Sequence, residues 1–178
     1  MNIRGWRFNI YLALALALAA FCGCKTPGET NPRKLVSTLR LHLEATRDGT
    51  KGNEPVPIYR ENPVMVNVQT QPFLAENYIT EARVVNVMGG FALHIQFDNS
   101  GTALLEQYTT ANRGRRIAVF SQFGEDLKDI RWLAAPIINR RIQDGVFTFT
   151  PDATREECEE LARGLNNVSK KTHTWIDK

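Results

Sequence analysis

The chain has 178 residues, and its 22 Lys and Arg nearly balance its 19 Asp and Glu, which gives a formal net charge of +3. If the first 23 residues are removed as a targeting segment, 20 basic residues remain against the same 19 acids, a net charge of +1. This balance lacks the basic excess of a nucleic-acid-binding protein, so no nucleic-acid partner is expected. The remaining residues suffice for one ordinary domain with its own core.

Residues 1–23 have the three parts of a bacterial signal peptide. Arg4 and Arg7 supply a basic start, residues 10–21 form an unbroken apolar run, and the small residue Gly23 lies before the cleavage point. The apolar run is shorter than the roughly 20 residues that span a bilayer as a helix, so a permanent transmembrane anchor is the weaker interpretation.

Gly23 and Cys24 resemble a bacterial lipobox, in which a cysteine follows a small residue and becomes acylated. The thiol takes up diacylglycerol as a thioether, and several acyl chains together hold a protein stably on a membrane. The expected location is therefore the cell envelope, facing the periplasm or the exterior. Lys25 stands where an aspartate would retain the protein at the inner membrane, which favours the outer membrane in a cell with two. The alternative is an ordinary signal cleaved nearby, with Cys24 incidental.

The mature chain divides into three predicted parts. Residues 24–34 are polar and rich in Pro and Gly, which predicts a lipidated tether. A folded domain is expected over residues 35–168. Residues 169–178 form a polar C-terminal tail whose pattern predicts no element.

The first predicted strand covers residues 35–44, because its apolar side chains recur with period two. Its apolar face consists of Leu39, Leu41 and Leu43, and its polar face of Arg40, His42 and Glu44. Residues 47–54 are a predicted polar loop. A weaker alternation of valines over residues 64–68 predicts a second strand, which Pro72 ends.

The clearest predicted element is a β-hairpin. Residues 81–88 form its first strand and residues 91–98 its second, joined by a two-residue turn at Gly89-Gly90, where positive φ angles are needed. The second strand has an apolar face of Phe91, Leu93, Ile95 and Phe97, and an opposite face of Ala92, His94, Gln96 and Asp98.

A helix is predicted after this hairpin, capped by Asp98, Asn99 or Ser100 and ended at Gly114. Its apolar stripe consists of Gly101, Leu104, Leu105, Tyr108 and Ala111. Residues 116–120 then predict a central strand buried on both faces.

The last third of the chain predicts an edge, a strand and a second helix. Pro136 confines residues 130–138 to a sheet edge or a bend, and residues 146–150 form a strand. Thr154 and Glu157 form a capping box before the helix, which is expected to fray near Asn166-Asn167. The apolar face of the helix consists of Cys158, Leu161, Ala162 and Leu165. Together these elements predict an α+β fold, a mostly antiparallel sheet with two amphipathic helices on one face.

Residues 79–166 resemble the head subdomain of the periplasmic domain of SecD (SecDF), an accessory subunit of the protein-export machinery. Asp98 and Gly101 match the D-x-x-G helix start of that family. Further matches are Thr110, Asn112 and Gly114 before a turn, Ala135, Pro136 and Ile138 in an Ala-Pro-x-Ile stretch, and Phe147 to Leu165 in the final strand and helix. The resemblance implies a SecD head-like domain with exported polypeptide as a candidate partner.

The resemblance covers the head subdomain alone. SecD spans the membrane several times, and its proton-driven activity depends on charged residues within membrane helices. No membrane helix is predicted after Cys24, so a proton-driven translocase is not expected. Resemblance of fold is in any case weak evidence for function.

No catalytic, cofactor-binding or metal site is predicted, and the protein is not expected to be an enzyme. His42 and His94 lie on polar strand faces and His173 lies in the tail, and none has partners at metal-ligand spacing. Cys158 lies on an apolar helix face, which predicts a buried thiol rather than a nucleophile. With the other two cysteines removed or acylated, it forms no intramolecular disulfide.

Two surface features are candidates for partner binding. Large apolar side chains, above all Phe123, Trp132 and Leu133, form a binding patch wherever they are exposed, and otherwise close the end of the core. Five arginines form either a basic patch or, more simply, a solvated face: Arg113, Arg115, Arg116, Arg140 and Arg141.

The sequence therefore predicts a non-catalytic, lipid-anchored envelope protein whose SecD head-like domain binds protein or peptide, with exported chains or other envelope proteins as partners. The alternative is a structural or envelope-assembly lipoprotein without a role in export.

Overall fold

The computed structural model describes residues 34–46 and 52–174, except for the side chains of residues 173 and 174. All of these belong to one compact unit, Asn31–Lys178. The signal peptide expected over residues 1–23, the acylated Cys24 and nearly all of the tether lie outside the described residues and stay predictions.

Nine strands and two α-helices follow one another in the part of the chain that the structure describes. The strands are β1 (Thr38–Leu43), β2 (Asn53–Ile58), β3 (Val64–Gln69), β4 (Leu74–Ala75), β5 (Ile79–Val87), β6 (Gly90–Phe97), β7 (Ile117–Phe123), β8 (Asp129–Ala134) and β9 (Val146–Phe149). The helices are α1 (Asn99–Ala111) and α2 (Arg155–Thr174). The strands form three antiparallel sheets, in the orders β4-β1-β7-β8, β2-β3 and β5-β6-β9. The predicted α+β fold is confirmed.

The main core lies between the four-stranded sheet, the three-stranded sheet and both helices. The alternation in β1 is confirmed, since Leu39, Leu41 and Leu43 are all buried in this core. Helix α1 contributes Leu105 and helix α2 contributes Leu161, both with no exposed surface. Both helices and both larger sheets therefore share one core.

A second, smaller core lies on the outer face of the four-stranded sheet, beneath the β2–β3 hairpin. It consists of Val56, Ile58, Val66 and Val68 from the hairpin and Ala118 and Ala135 from the sheet side, with Trp132 packed against them. Strand β7, between β1 and β8, is consequently buried on both faces along most of its length, as predicted.

Strand β2 is the element that the sequence pattern misses. The polar loop predicted over residues 47–54 is wrong at its end, because Asn53 and Glu54 open β2 and pair with β3. Pro55 and Pro57 make this strand hard to predict from the sequence, since proline is unusual within sheets. They are tolerated because β2 is an edge strand.

The β5–β6 hairpin is confirmed, with its turn displaced by one residue. Val87 pairs with Gly90, so the turn consists of Met88 and Gly89 rather than Gly89 and Gly90. Gly89 has φ +84°, a conformation that glycine adopts without strain. Gly90 instead opens β6.

Helix α1 begins at Asn99 and is capped by Asp98, as the D-x-x-G pattern predicts. The Asp98 carboxylate accepts a hydrogen bond from the N–H of Gly101 at 2.7 Å, which caps the helix. Position 101 requires glycine, because a Cβ there would lie 2.8 Å from the Cβ of Tyr78 and 3.0 Å from the Cβ of Phe97. The motif therefore combines a cap with close packing of the helix start.

The buried stripe of α1 differs from the predicted one at its end. Thr109 is fully buried, whereas Ala111 is exposed. The Thr109 hydroxyl donates to the carbonyl of Leu105 at 2.7 Å and accepts from the N–H of Ile142 at 3.0 Å, so its polar group is satisfied inside the fold.

Helix α2 begins at the predicted capping box. The N–H of Glu157 donates to Thr154 Oγ1 at 3.2 Å, and the N–H of Thr154 donates to Glu157 Oε2 at 2.7 Å. The predicted apolar face is confirmed, since Cys158, Leu161, Ala162 and Leu165 are all buried.

The prediction that α2 frays near Asn166-Asn167 is wrong. The helix continues to Thr174, through the domain end expected at residue 168 and into the predicted tail. The Asn166 side chain donates to the carbonyl of Ala82 and accepts from its N–H, both at 2.8 Å. Asn166 is thus used to fasten the helix to β5, which the local sequence does not reveal.

Candidate functional site

The apolar residues predicted to bind a partner lie mostly inside the protein. Phe123 and Leu133 have no exposed surface and belong to the main core. The interpretation of these two side chains as an exposed patch is therefore wrong. Side chains of a strand alternate between its two faces, so Phe123 and Leu133 face the main core while Trp132 faces the β2–β3 hairpin.

Trp132 is partly buried and packs under the hairpin. Its ring lies 5.0 Å from the ring of His42 in an edge-on arrangement and 5.1 Å from the ring of Phe120. These contacts give Trp132 a packing role at the junction of hairpin and sheet.

His42 was expected on a polar face, and the structure corrects this. It is 6% exposed, because the hairpin covers the outer face of β1. Its Nδ1 lies 2.8 Å from the carbonyl oxygen of Gln69. Burial lowers the pKa of His42, so its neutral form is favoured in the fold. Among the described residues, no group of three potential metal ligands is present.

Cys158 is the buried thiol that the sequence predicts. Burial, with a further contribution from the charge of Glu157, raises the pKa of Cys158 to about 11. The thiol is therefore protonated at neutral pH, whereas a nucleophilic cysteine must be a thiolate. Neither its position nor its protonation state suits catalysis.

An open groove of about 220 Å³ lies between β9 and the segment that follows β8. Residues 146–148 of β9 line one side, and residues 136–140, with Ile142, line the other. The buried side chains of Ile117 and Ile138 contribute to its lining, whereas Ile137 is 47% exposed. The groove thus offers solvent a surface of mixed polarity, and its accessible apolar part comes from Ile137 and from the partly exposed Pro136, Ile142 and Val146.

The groove borders two sheets. The segment after β8 stays beside β7, because Ile117 N–H donates to the carbonyl of Pro136 and Ile138 N–H donates to the carbonyl of Arg115. Strand β9 is the edge of the three-stranded sheet. Pro136 lies just after the edge strand β8 and outside any strand, in agreement with the predicted edge or bend, and it forms part of the groove.

The arginines noted in the sequence cluster beside this groove. Three of them bind neighbouring groups: Arg113 donates to the carbonyl of Asn139 at 3.2 Å, Arg116 to the carbonyl of Ala135 at 3.0 Å, and Arg141 pairs with Glu106. Arg140 lines the groove and is exposed. The cluster therefore both fixes the groove segment and leaves positive charge at its rim.

Sequence reasoning missed the groove because its walls come from three separate stretches of chain. Ile117, residues 136–142 and residues 144–148 meet only after the sheets have formed. The one local signal was Pro136, which predicted an exposed edge without indicating what lay across from it.

Fold and groove together define an α+β domain whose concave surface is built at the edges of β-sheets. The family model of the SecDF P1 head subdomain matches residues 53–169, and the chain belongs to this family. The predicted resemblance to the SecD head is confirmed. No curated protein sequence matches the chain.

Two solved structures share the fold. SecDF in its super-membrane-facing form is 18% identical, with a TM-score of 0.52, over 74% of this chain and 19% of that one. A second SecDF structure, described as a membrane component that enhances protein export, is 18% identical with a TM-score of 0.53. That match covers 80% of this chain and 71% of the other. This chain thus spans about a fifth of the first SecDF chain. Neither helix of the described residues is long and apolar enough to cross a bilayer.

Proposed function

We propose that this protein is an envelope lipoprotein, anchored through acylated Cys24, whose domain binds polypeptide during export without catalysing a reaction. The family match over residues 53–169 carries the proposal. A solved relative of the same fold is described as a membrane component that enhances protein export, and a role beside exported chains is consistent with that description. The fold supplies the domain, and the anchor supplies its place at the membrane.

The groove supports a polypeptide as the ligand. Its volume, about 220 Å³, is below the roughly 300–1,000 Å³ of typical small-molecule pockets. It suits one or two side chains of a longer chain better than a whole small ligand. Its accessible lining combines the apolar side chains of Ile137, Ile142 and Val146 with the backbone of an edge strand, which extended polypeptides recognise.

The position of the groove also supports this function. Lys34 is the first described residue ahead of β1, and Thr38 at the start of β1 pairs with Gln122. Leu43 at the other end of β1 pairs with Ile117, which lines the groove. A six-residue strand is roughly 17 Å long. The groove therefore lies beside the Leu43 end of β1, about one strand length from the end that follows Lys34 in the chain.

Photo-cross-linking in intact cells tests the proposal. A photo-reactive amino acid incorporated at Ile137, 47% exposed beside the groove, is expected to capture newly exported chains in pulse-labelled cells. The same amino acid at Met88, fully exposed in the β5–β6 turn, serves as the control and should capture few. The measurement is the labelled adduct at each position, before and after a chase.

Two results would count against the proposal. Equal capture at Ile137 and Met88 would mean that the groove has no special affinity for polypeptide. No exported chain captured at either position, with both variants folded, would favour the structural or envelope-assembly lipoprotein.

The lipid anchor has a separate test. Cys24→Ser removes the thiol that accepts diacylglycerol, so the variant is expected to take up no labelled palmitate and to accumulate as uncleaved precursor. Cys158→Ser is the matched control and should be labelled like the wild type, because Cys158 is buried within the domain. If the wild-type protein takes up no label, the anchor is wrong, while polypeptide binding is unaffected.

A further inference from the structure

We infer that the bound polypeptide adds to the free edge of β9 as a further β-strand, with an apolar side chain in the groove and an acidic side chain beside Arg140. The inference rests on the proposed function and specifies how the polypeptide is held. It is carried by the backbone of β9, by the way the other sheet edges are closed, and by the charge around the groove.

The pairing of β9 with β6 shows which of its backbone groups face outward. Phe97 N–H donates to the carbonyl of Gly145 at 3.0 Å, and this pair is in register with Ile95–Phe147. In an antiparallel ladder bonded pairs alternate with unbonded ones, so Phe147 points its backbone groups at β6 and Thr148 points its own away. The N–H and C=O of Thr148 are therefore available to an added strand.

Val146 has the same outward orientation as Thr148, since the two residues are separated by one position. Its N–H already donates to the Asp144 carboxylate at 3.1 Å. The free edge consequently presents the carbonyl of Val146 and both backbone groups of Thr148. These three groups can bind the main chain of an extended segment irrespective of its side chains.

Two other sheet edges are each bound at one residue by the protein's own groups. On β5, Asn166 binds both the N–H and the carbonyl of Ala82. On β8, the carbonyl of Leu133 accepts from the N–H of Asp152 at 2.7 Å. Among the described residues, no such group covers the outward side of Thr148. An exposed edge is a template for another strand, which proteins usually block unless they use it.

The surroundings of the edge indicate what the added strand carries. A strand beside β9 would lie about 4.8 Å from it, over the groove, and one of its faces would meet the accessible side chains of Ile137 and Ile142. Arg140 is exposed at the rim, and Arg113 beside it donates to the carbonyl of Asn139, a neutral group, so two positive charges lie there against the single carboxylate of Asp144. The rim therefore favours a segment that combines an apolar side chain with an acidic one.

Replacing Thr148 tests the edge directly. Thr148→Pro removes one outward N–H and no bond of the β6–β9 ladder. Thr148→Val is the matched control, because it loses the same hydroxyl, which lies 3.2 Å from His94 Nδ1, and keeps the N–H. The probe is a ten-residue peptide of alternating Val and Thr with one central Glu, titrated into the full-length protein in detergent micelles. We expect at least tenfold weaker binding by Thr148→Pro and unchanged binding by Thr148→Val, with circular dichroism showing that both are folded.

A second arm uses the wild-type protein, so it does not depend on how the variants fold. The same peptide with three consecutive central amides N-methylated keeps its side chains but cannot complete a β-ladder, and it should bind at least tenfold more weakly.

A third arm uses two variants to test the charge at the rim. Arg140→Glu should weaken binding of the unmodified peptide. Lys128→Glu makes the same charge change at an exposed position between β7 and β8, and it should leave binding unchanged.

The outcomes separate this inference from the proposed function. If Thr148→Pro and the methylated peptide bind as tightly as their unmodified counterparts, strand addition is wrong and polypeptide binding stands. If the wild-type protein binds neither the peptide nor a reduced, unfolded secretory protein, both are wrong.

Discussion

Replacing Leu105 with Ala is expected to lower the free energy of unfolding by about 2–5 kcal/mol. Leu105 has no exposed surface and joins α1 to the main core, where both larger sheets and α2 meet. Truncation would remove its apolar contacts and leave a cavity that close-packed neighbours fill only in part. Urea unfolding followed by circular dichroism measures the change, provided that the dependence on urea is unaltered.

Leu104→Ala is the matched comparison, one residue away on the same helix. Leu104 is only partly buried and packs against the edge of the core, so its truncation should cost about 1–2 kcal/mol. Equal costs at the two positions, or a cost at Leu105 within experimental error, would contradict the observed orientation of α1.

Replacing Glu157 with Ala is expected to cost about 2–3 kcal/mol of stability, because one side chain serves two purposes. It accepts the N–H of Thr154 at 2.7 Å, which caps α2. It also pairs with Arg131 at 2.7 Å, and the Arg131 side chain is only 16% exposed. Alanine would leave the N–H of Thr154 without this acceptor and the arginine without its counter-charge. Glu157→Gln keeps an acceptor for the cap and should cost about half as much.

The pH dependence of this effect follows from the charge of Glu157. Burial alone would raise its pKa, but the hydrogen bond from Thr154 and the bond and charge of Arg131 outweigh burial and lower the pKa below its ordinary value of 4.5. A lowered folded-state pKa stabilises the protein above the unfolded-state pKa, and this contribution is lost as pH falls through the folded-state pKa. The stability difference between wild type and Glu157→Gln should therefore be full near pH 7 and should shrink below about pH 4. A difference that stays constant between pH 7 and pH 3 would show that the charge of Glu157 has no such role.

Local sequence determined the elements whose signals lie within a few residues of one another. The alternation of Leu39, Leu41 and Leu43 identifies β1, because successive side chains of a strand face opposite ways. Asp98 and Gly101 mark the start of α1, and Thr154 and Glu157 the start of α2, because a cap acts on backbone groups three residues away. The order of these same signals also carries the resemblance to the SecD head, which the family match confirms.

Tertiary structure alone decided which elements cover each face of the sheets and which sheet edges stay exposed. His42 is buried and Trp132 partly buried because the β2–β3 hairpin, which the prolines of β2 make hard to predict, folds over the outer face of the sheet. Helix α2 extends beyond the end that its local sequence predicts, because Asn166 binds Ala82, which is 84 residues away in sequence. The groove exists because β9, at the edge of its sheet, and the segment around Pro136 lie on opposite sides of an open space. The local periodicity of the sequence indicates on which face of a strand or helix a side chain lies. Whether that face is buried depends on the sheets packed against it.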